Sequence, residues 1–297
     1  MCLQGDGRGL LPPADADRNP VVIKIRQAFA TRQLDEMQKE IDEMLRKSPQ
    51  DFRGYFWQGF LDLQRRDNYN AIRALRRAEA LNANEPVLKL LAVAYYAARQ
   101  RRLFELTMKR ALRQKPDDFA PYYYLGRYYV SVDAQDFAQA GLYFKEAIQR
   151  NPQYFRSYYY LGYCDEIARQ LGKAEQNYRK AMALAQAENA KSALPYEGMA
   201  RLRLLENEAA KALPYALHAA RLAEDEAASH KTLAKVYGSL GRQMDAAQEW
   251  KRAAELDPTD ASPYYHLFQI YSSLGSPAKA KSALANFNKL SAMYGAD

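Results

Sequence analysis

Three histidines, two cysteines and one run of carboxylates are the residues from which this 297-residue chain could build a catalytic or metal centre. A histidine could act as general base or metal ligand, and a cysteine as nucleophile. Their spacing argues against both uses. His218, His230 and His266 fall on different helical segments, so no two share a helix face. Cys2 and Cys164 are far apart and form no CxxC; Cys164 reads as a buried free thiol and Cys2 as an exposed tail thiol. Glu224-Asp225-Glu226 ends a helix and runs into a loop, the setting of solvated charge rather than of an acid/base pair. No G-x-S-x-G, P-loop, HExxH or GxGxxG pattern occurs. The expectation is a chain that is not an enzyme, with no cofactor, no metal and no disulfide.

The chemistry that remains is recognition. Lys+Arg exceed Asp+Glu by 43 to 35, a net charge of +8, and there are 23 tyrosines against 2 Trp and 11 Phe. Such an excess permits an acidic partner without demanding one. Basic groups pair carboxylates or phosphates, and tyrosine offers a flat apolar face with a hydroxyl. The longest apolar run, Leu90 to Ala98, is about half of the ~20 residues a membrane helix needs. With no signal-like N-terminus, the sequence as given implies a cytoplasmic protein; an upstream signal would make it periplasmic or secreted.

On length alone, two domains of ~150 residues would be the first guess. Internal repetition replaces that guess. Tyr122-Tyr123-Tyr124-Leu125-Gly126-Arg127-Tyr128-Tyr129 is echoed by Tyr158-Tyr159-Tyr160-Leu161-Gly162-Tyr163. Each is followed by a second pattern, Ala140-x3-Phe144-x2-Ala147 with Pro152, and Ala174-x3-Tyr178-x2-Ala181. Leu233, Ala234 and Tyr237 precede Gly241, then come Ala246, Trp250, Ala253 and Pro258; Leu267, Phe268 and Tyr271 precede Gly275, Ala280 and Leu284. Units open near Arg18, Phe52, Glu85, Phe119, Phe155, Ala193, Ala227 and Ala261, at intervals of 34, 33, 34, 36, 38, 34 and 34.

Apolar residues at i, i+3, i+4 and i+7 mark one helical stripe in the first half of each unit, as in Tyr122, Leu125, Gly126 and Tyr129, and the second half repeats at i, i+4 and i+7, as in Ala246, Trp250 and Ala253. Small residues are expected to face one another where two antiparallel helices approach closely: Gly59 with Ala71, Gly126 with Ala140, Gly162 with Ala174, Ala234 with Ala246. Asn19-Pro20, Ser262-Pro263 and Ser276-Pro277 read as N-cap then first-turn proline. Gly241 and Gly275 fit tight turns, and Pro49, Pro116, Pro152 and Pro258 sit past second-helix ends. Nothing alternates with period two, so no sheet is expected.

These marks resemble the tetratricopeptide repeat (TPR) family, whose period is ~34 residues and whose pattern is W-x2-L-G-x2-Y, A-x3-F-x2-A, then P. The resemblance covers nearly the whole chain after residue 17. It implies an all-α, right-handed α-solenoid (superhelix) of antiparallel helix hairpins. The expected organisation is a disordered tail over 1–17 and a single array of about eight repeats over 18–297. Asp62, Asp165 and Arg203 stand where the pattern asks for Tyr, and Phe268 where it asks for Gly. Extra residues fall around Ser131–Gln135, and a link around Ala187–Lys191.

In the family, one side of each first helix lines a concave ligand groove, and the resemblance implies the same here. The positions on that side are Val22 and Arg26, Phe56 and Phe60, Lys89 and Val93, Tyr123 and Arg127, Tyr159 and Tyr163, Glu197 and Arg201, Lys231 and Lys235, and Tyr265 and Gln269. One carboxylate stands there against six basic groups. The partner-binding candidates are Phe56, Phe60, Lys89, Tyr123, Arg127, Tyr159, Tyr163, Arg201, Lys231, Lys235 and Tyr265. Tyr122, Tyr129, Tyr158, Tyr178, Tyr237 and Tyr271 are assigned to the structural stripe. No groove position is Asn, so the family's carboxylate clamp for an acidic chaperone tail is not expected.

The function expected is a protein-protein interaction scaffold that holds an extended, acidic peptide or protein segment. RNA or another polyanion in the same groove is the alternative. So is an assembly or recruitment role in an envelope or enzyme complex. Leu284, Phe287, Leu290 and Met293 form a candidate self-association face in the last repeat.

Overall fold

The computed structural model of the chain describes residues 9–12, 18–131 and 134–294. Cys2 and most of the expected tail lie outside the described residues. The secondary structure is helical throughout, with no strand among the described residues. The residues group into two compact units, 1–152 and 153–297. Unit 1 holds α1 (Pro20–Ala30), α2 (Leu34–Lys47), α3 (Phe52–Gln64), α4 (Asn68–Leu81), α5 (Glu85–Ala97), α6 (Arg101–Gln114), α7 (Phe119–Val130) and α8 (Phe137–Arg150). Unit 2 holds α9 (Phe155–Ile167), α10 (Leu171–Ala187), α11 (Leu194–Leu205), α12 (Ala209–Leu222), α13 (Ala227–Ser239), α14 (Gln243–Leu256), α15 (Ser262–Ser273) and α16 (Pro277–Tyr294). Odd helices pair with the even helix that follows, and each pair packs on the next within its unit. First helices begin within two residues of the eight repeat starts read from the sequence.

Capping follows side-chain chemistry. Asn19 accepts from the Val21 amide at 2.9 Å and Pro20 opens α1, as expected. The Ser262 expectation needs correcting: Ser262 is already helical, and Asp260 accepts from both its amide (2.8 Å) and its hydroxyl (2.9 Å). Pro49, Pro116, Pro152 and Pro258 each fall two residues beyond a second helix.

Seven of the eight hairpin turns place one residue in the left-handed region just before an amide that bonds the carbonyl five residues back, as Gln100 N to Tyr95 O at 2.8 Å. Gly241 (φ 73°) and Gly275 (φ 63°) supply it as expected. Elsewhere the same position is Arg32 (58°), Arg66 (61°), Arg99 (58°), Arg169 (58°) and Asn207 (60°). A left-handed L-residue costs about 1–2 kcal/mol, against about 0.5–1 for glycine's extra entropy. The double variant Arg32→Gly, Arg66→Gly is therefore expected to stabilise unit 1 by about 1–2 kcal/mol. The readout is the denaturant midpoint reported by Trp57 fluorescence; an unchanged or lower midpoint would show that the turns carry no such strain.

At the three glycines the contacts are close, but the nearest side chains are not the alanines expected, while Ala234 and Ala246 do share one buried cluster. A Cβ on Gly59 would lie 2.4 Å from Leu75, on Gly126 2.7 Å from the Phe144 ring, and on Gly162 2.9 Å from the Tyr178 ring. Each glycine thus faces the large residue four beyond the expected alanine, one turn further along the second helix. The three positions where tyrosine was expected carry polar contacts, within α3 at Asp62 and between helices at Asp165 and Arg203. Buried Asp62 accepts from Gln58 (2.9 Å), Asp165 accepts from Asn177 (2.7 Å), and Arg203 pairs with Glu175 and Glu206.

Candidate functional site

The single-stripe wheel misplaces the aromatics, because a first helix touches its own hairpin partner and neighbouring first helices as well. Phe56, Phe60, Tyr123 and Tyr159 are buried, Tyr123 to 1% exposure. Tyr122, Tyr129 and Tyr158, assigned to the core stripe, are only half-buried, whereas Tyr178 and Tyr271 are buried as expected. The Tyr122 ring carries the Arg150 guanidinium at 3.9 Å. Of the candidate aromatics, Tyr163 is half-buried and Tyr265 is exposed.

The cations separate just as sharply. Lys89 is buried; it donates to Asp118 at 2.6 Å and also pairs with Glu85. Asp118 caps α7 through the Ala120 amide (3.0 Å), so Lys89 ties one repeat to the next. Burial pushes the Glu85 carboxyl up to about 7, while hydrogen bonds and the Lys89 charge hold Asp118 low against its own burial. Lys231 repeats the arrangement in unit 2, donating at 2.9 Å to Asp260 ahead of α15. Arg127 is half-buried, its guanidinium 5.9 Å from the Tyr123 ring. Glu197, the one groove carboxylate, is buried and accepts from Ser229; burial raises its pKa.

Arg201 closes a network across α9, α10 and α11. Its Nε donates to Glu166 at 2.7 Å, its Nη2 donates to the Tyr178 hydroxyl at 2.8 Å, and that hydroxyl donates to Glu166 at 2.6 Å. The Tyr163 ring covers the guanidinium at 5.0 Å. Glu166 is 4% exposed and the Arg201 side chain 34%, so the cation keeps an edge at the surface.

Lys235, one turn beyond Lys231 on α13, makes no hydrogen bond or ion pair among the described residues and is exposed. Surrounding protein atoms, then the charges of Lys231 and Arg201, hold its pKa below the usual lysine value. It lines an open groove of about 700 Å³ with Ser239, Gln243, Trp250, His266, Gln269 and Ser273. Trp250 and His266 stack there, ring centroids 4.1 Å apart and planes within 16°. Burial lowers the His266 pKa, favouring the neutral ring. The groove therefore offers an underpaired ammonium, polar side chains and an aromatic wall. Sequence reasoning found Lys235 and Gln269 but not Trp250 or His266, which belong to different hairpins.

The remaining residues with reactive potential are engaged otherwise. His230 bonds Glu249 at 2.7 Å, and His218 packs on Tyr196 at 4.2 Å. Cys164 is a buried free thiol, its pKa pushed up to about 12 by burial. No cluster of potential metal ligands occurs among the described residues, and no helix is long and apolar enough to cross a membrane. In the last repeat, Leu284, Phe287 and Leu290 are half-buried, with Phe287 5.4 Å from the Tyr265 ring, while Met293 is 59% exposed.

No protein-family model and no curated protein matches the sequence. Solved structures match its fold. A chain of the APC/C hetero-tetramer Cut9–Hcn1 aligns with TM-score 0.71 and 13% identity over 91% of this chain and 52% of that one. A tetratricopeptide repeat protein from Parabacteroides merdae aligns with TM-score 0.66 and 15% identity, covering 84% and 97%. Yeast Tom70 aligns with TM-score 0.65 and 16% identity, covering 95% and 64%. The chain thus spans about half the length of the Cut9–Hcn1 match and under two thirds of Tom70. At these identities the likeness is one of fold: the chain has the tetratricopeptide-repeat fold.

Proposed function

We propose that this chain is a non-catalytic scaffold that binds an extended segment of another protein, and that unit 2 receives the segment through a carboxylate seated at Lys235. The observation that carries the reading is the state of that lysine. Its two neighbouring cations are already paired, Lys231 with Asp260 and Arg201 with Glu166, while Lys235 has no partner among the described residues and faces an open groove. An incoming carboxylate offsets the surrounding protein and the Lys231 and Arg201 charges that depress its pKa, so binding and protonation reinforce one another. The Trp250–His266 stack and the apolar side chains beside it suit an aliphatic or aromatic neighbour of that carboxylate. The Cut9–Hcn1 match, itself part of a hetero-tetramer, supports partner binding as a use of this fold.

The test is fluorescence anisotropy with labelled ten-residue peptides in which Asp or Glu alternates with Leu or Phe. Lys235→Glu is expected to weaken binding at least 10-fold without changing the melting temperature, because the side chain is exposed and unpaired. Equal binding by the folded variant would reject the groove assignment. A parallel titration with single-stranded RNA separates the polyanion alternative. A steep loss of RNA affinity with salt, exceeding that of the peptides, would favour nucleic acid instead.

A further inference from the structure

The corresponding face of unit 1 is already filled. Four residues of the stretch expected to be tail, Gly9-Leu10-Leu11-Pro12, lie against its first helices. Gly9 sits on the start of α7: a Cβ placed on it would meet the Ala120 methyl at 2.5 Å and the Phe119 ring at 3.2 Å. Its φ is +78°, so both the space and the backbone demand glycine. Leu10 follows in a turn and is 1% exposed, as buried as any core leucine. At the other end Arg26 of α1 donates to the Pro12 carbonyl at 2.8 Å, its guanidinium 5.2 Å from the Trp57 ring. Beside Pro12 a cavity of about 180 Å³ remains, walled by Val22, Phe52, Phe56, Trp57 and Pro86 together with the polar side chains of Arg26, Arg53 and Asn84.

We infer that this face of unit 1 is a recognition site for a short, uncharged Gly-Leu-Leu-Pro turn, held in cis by residues 9–12 and open to the same chemistry presented by a partner protein. The charge on the face is spent internally. Lys89 is neutralised by Glu85 and Asp118, Arg26 donates to a backbone carbonyl, Arg53 pairs with Asp51 at 2.7 Å, and Asn84 caps α5 through the Val87 amide. What is left is apolar, so the occupant it fits is apolar and not acidic. A buried leucine side chain contributes about 1.5–3 kcal/mol, and proline restricts the residue before it, which lowers the entropy lost on docking. A ligand tethered by a short linker acts at an effective concentration on the order of millimolar, so the cis segment competes with any partner. The unfilled space beside Pro12 gives a partner with one larger apolar side chain an advantage over the resident turn. This inference does not depend on the Lys235 site, which uses other helices.

The experiment uses the full chain and a fluorescein-labelled octapeptide of sequence Gly7 to Ala14, with photo-leucine at the Leu10 position. Gly9→Val with Leu10→Asp removes the cis ligand by steric clash and buried charge. Gly9→Ala alone is the milder second variant, since one methyl already clashes. Both released chains are expected to bind the octapeptide saturably, at least 10-fold more tightly than the unaltered chain. Photo-crosslinks are expected on α1, α3, α5 or α7. Adding Arg26→Ala to a released chain is expected to weaken binding several-fold. Absence of saturable binding by the released chains, equal binding by unaltered and released chains, or crosslinks confined to unit 2 would each overturn the inference.

Discussion

Replacing Arg201 by alanine is expected to destabilise unit 2 by about 2–4 kcal/mol. The loss comes from Glu166, a carboxyl group 4% exposed that would keep only the Tyr178 hydroxyl as a side-chain partner. Breaking a fully buried pair typically costs about 3–5 kcal/mol. The lower range applies because a third of the Arg201 side chain is exposed and water screens part of its charge. Glu166→Gln in the same chain should recover roughly half of the loss, since an uncharged amide still accepts from Tyr178 without an orphaned charge. Trp250 is the only tryptophan of unit 2, so denaturation followed by fluorescence in a Trp57→Phe background reads the effect locally. A single-variant loss under 1 kcal/mol, or no recovery in the double variant, would show that the network contributes little.

Gly126→Val is expected to cost unit 1 about 3 kcal/mol. The first added carbon alone would lie 2.7–2.9 Å from three atoms of the Phe144 ring. That ring is fully buried, with the Tyr123 ring centroid 6.2 Å away. Overpacking of this kind typically costs about 1–3 kcal/mol, and valine's two further methyl groups place it at the top of that range despite a better helix propensity than glycine. Gly172 is the control. It is the second residue of α10, is exposed, and has nothing within 4 Å of an added Cβ. Gly172→Ala should therefore gain about 0.5–1 kcal/mol from propensity alone. Midpoints read from Trp57 and Trp250 in single-tryptophan backgrounds separate the two results. Equal effects at the two glycines would refute the steric account.

The register of the repeats was legible in the sequence, and so were the eight first-helix starts. Both depend on local chemistry: a 34-residue recurrence of apolar spacing, with Asn and Pro at helix starts and Pro past helix ends. The turn positions were legible only where glycine marks them. Five other turns use Arg or Asn at the same dihedral, and nothing local distinguishes those arginines from surface ones.

The site was legible in outline but not in detail. Six basic groups were expected on one face, yet Lys89 and Lys231 are committed to aspartates 29 residues further on, each ahead of the next first helix. A helical wheel holds no information about such partners. In the run Tyr122-Tyr123-Tyr124 the wheel put Tyr122 inward, but α7 packs on more than one side and buries Tyr123 and Tyr124 instead. Residues 9–12, featureless as sequence, find their place only against side chains from α1 and α7. Local propensity and periodicity thus determined where each helix begins and that helices pair. Only tertiary packing, within and between repeats, decided which cations are spent, which aromatics are buried and which face is already occupied, because each depends on atoms of another helix, as Tyr123 on Phe144 or Lys89 on Asp118, or on a segment lying against helices not adjacent to it in sequence.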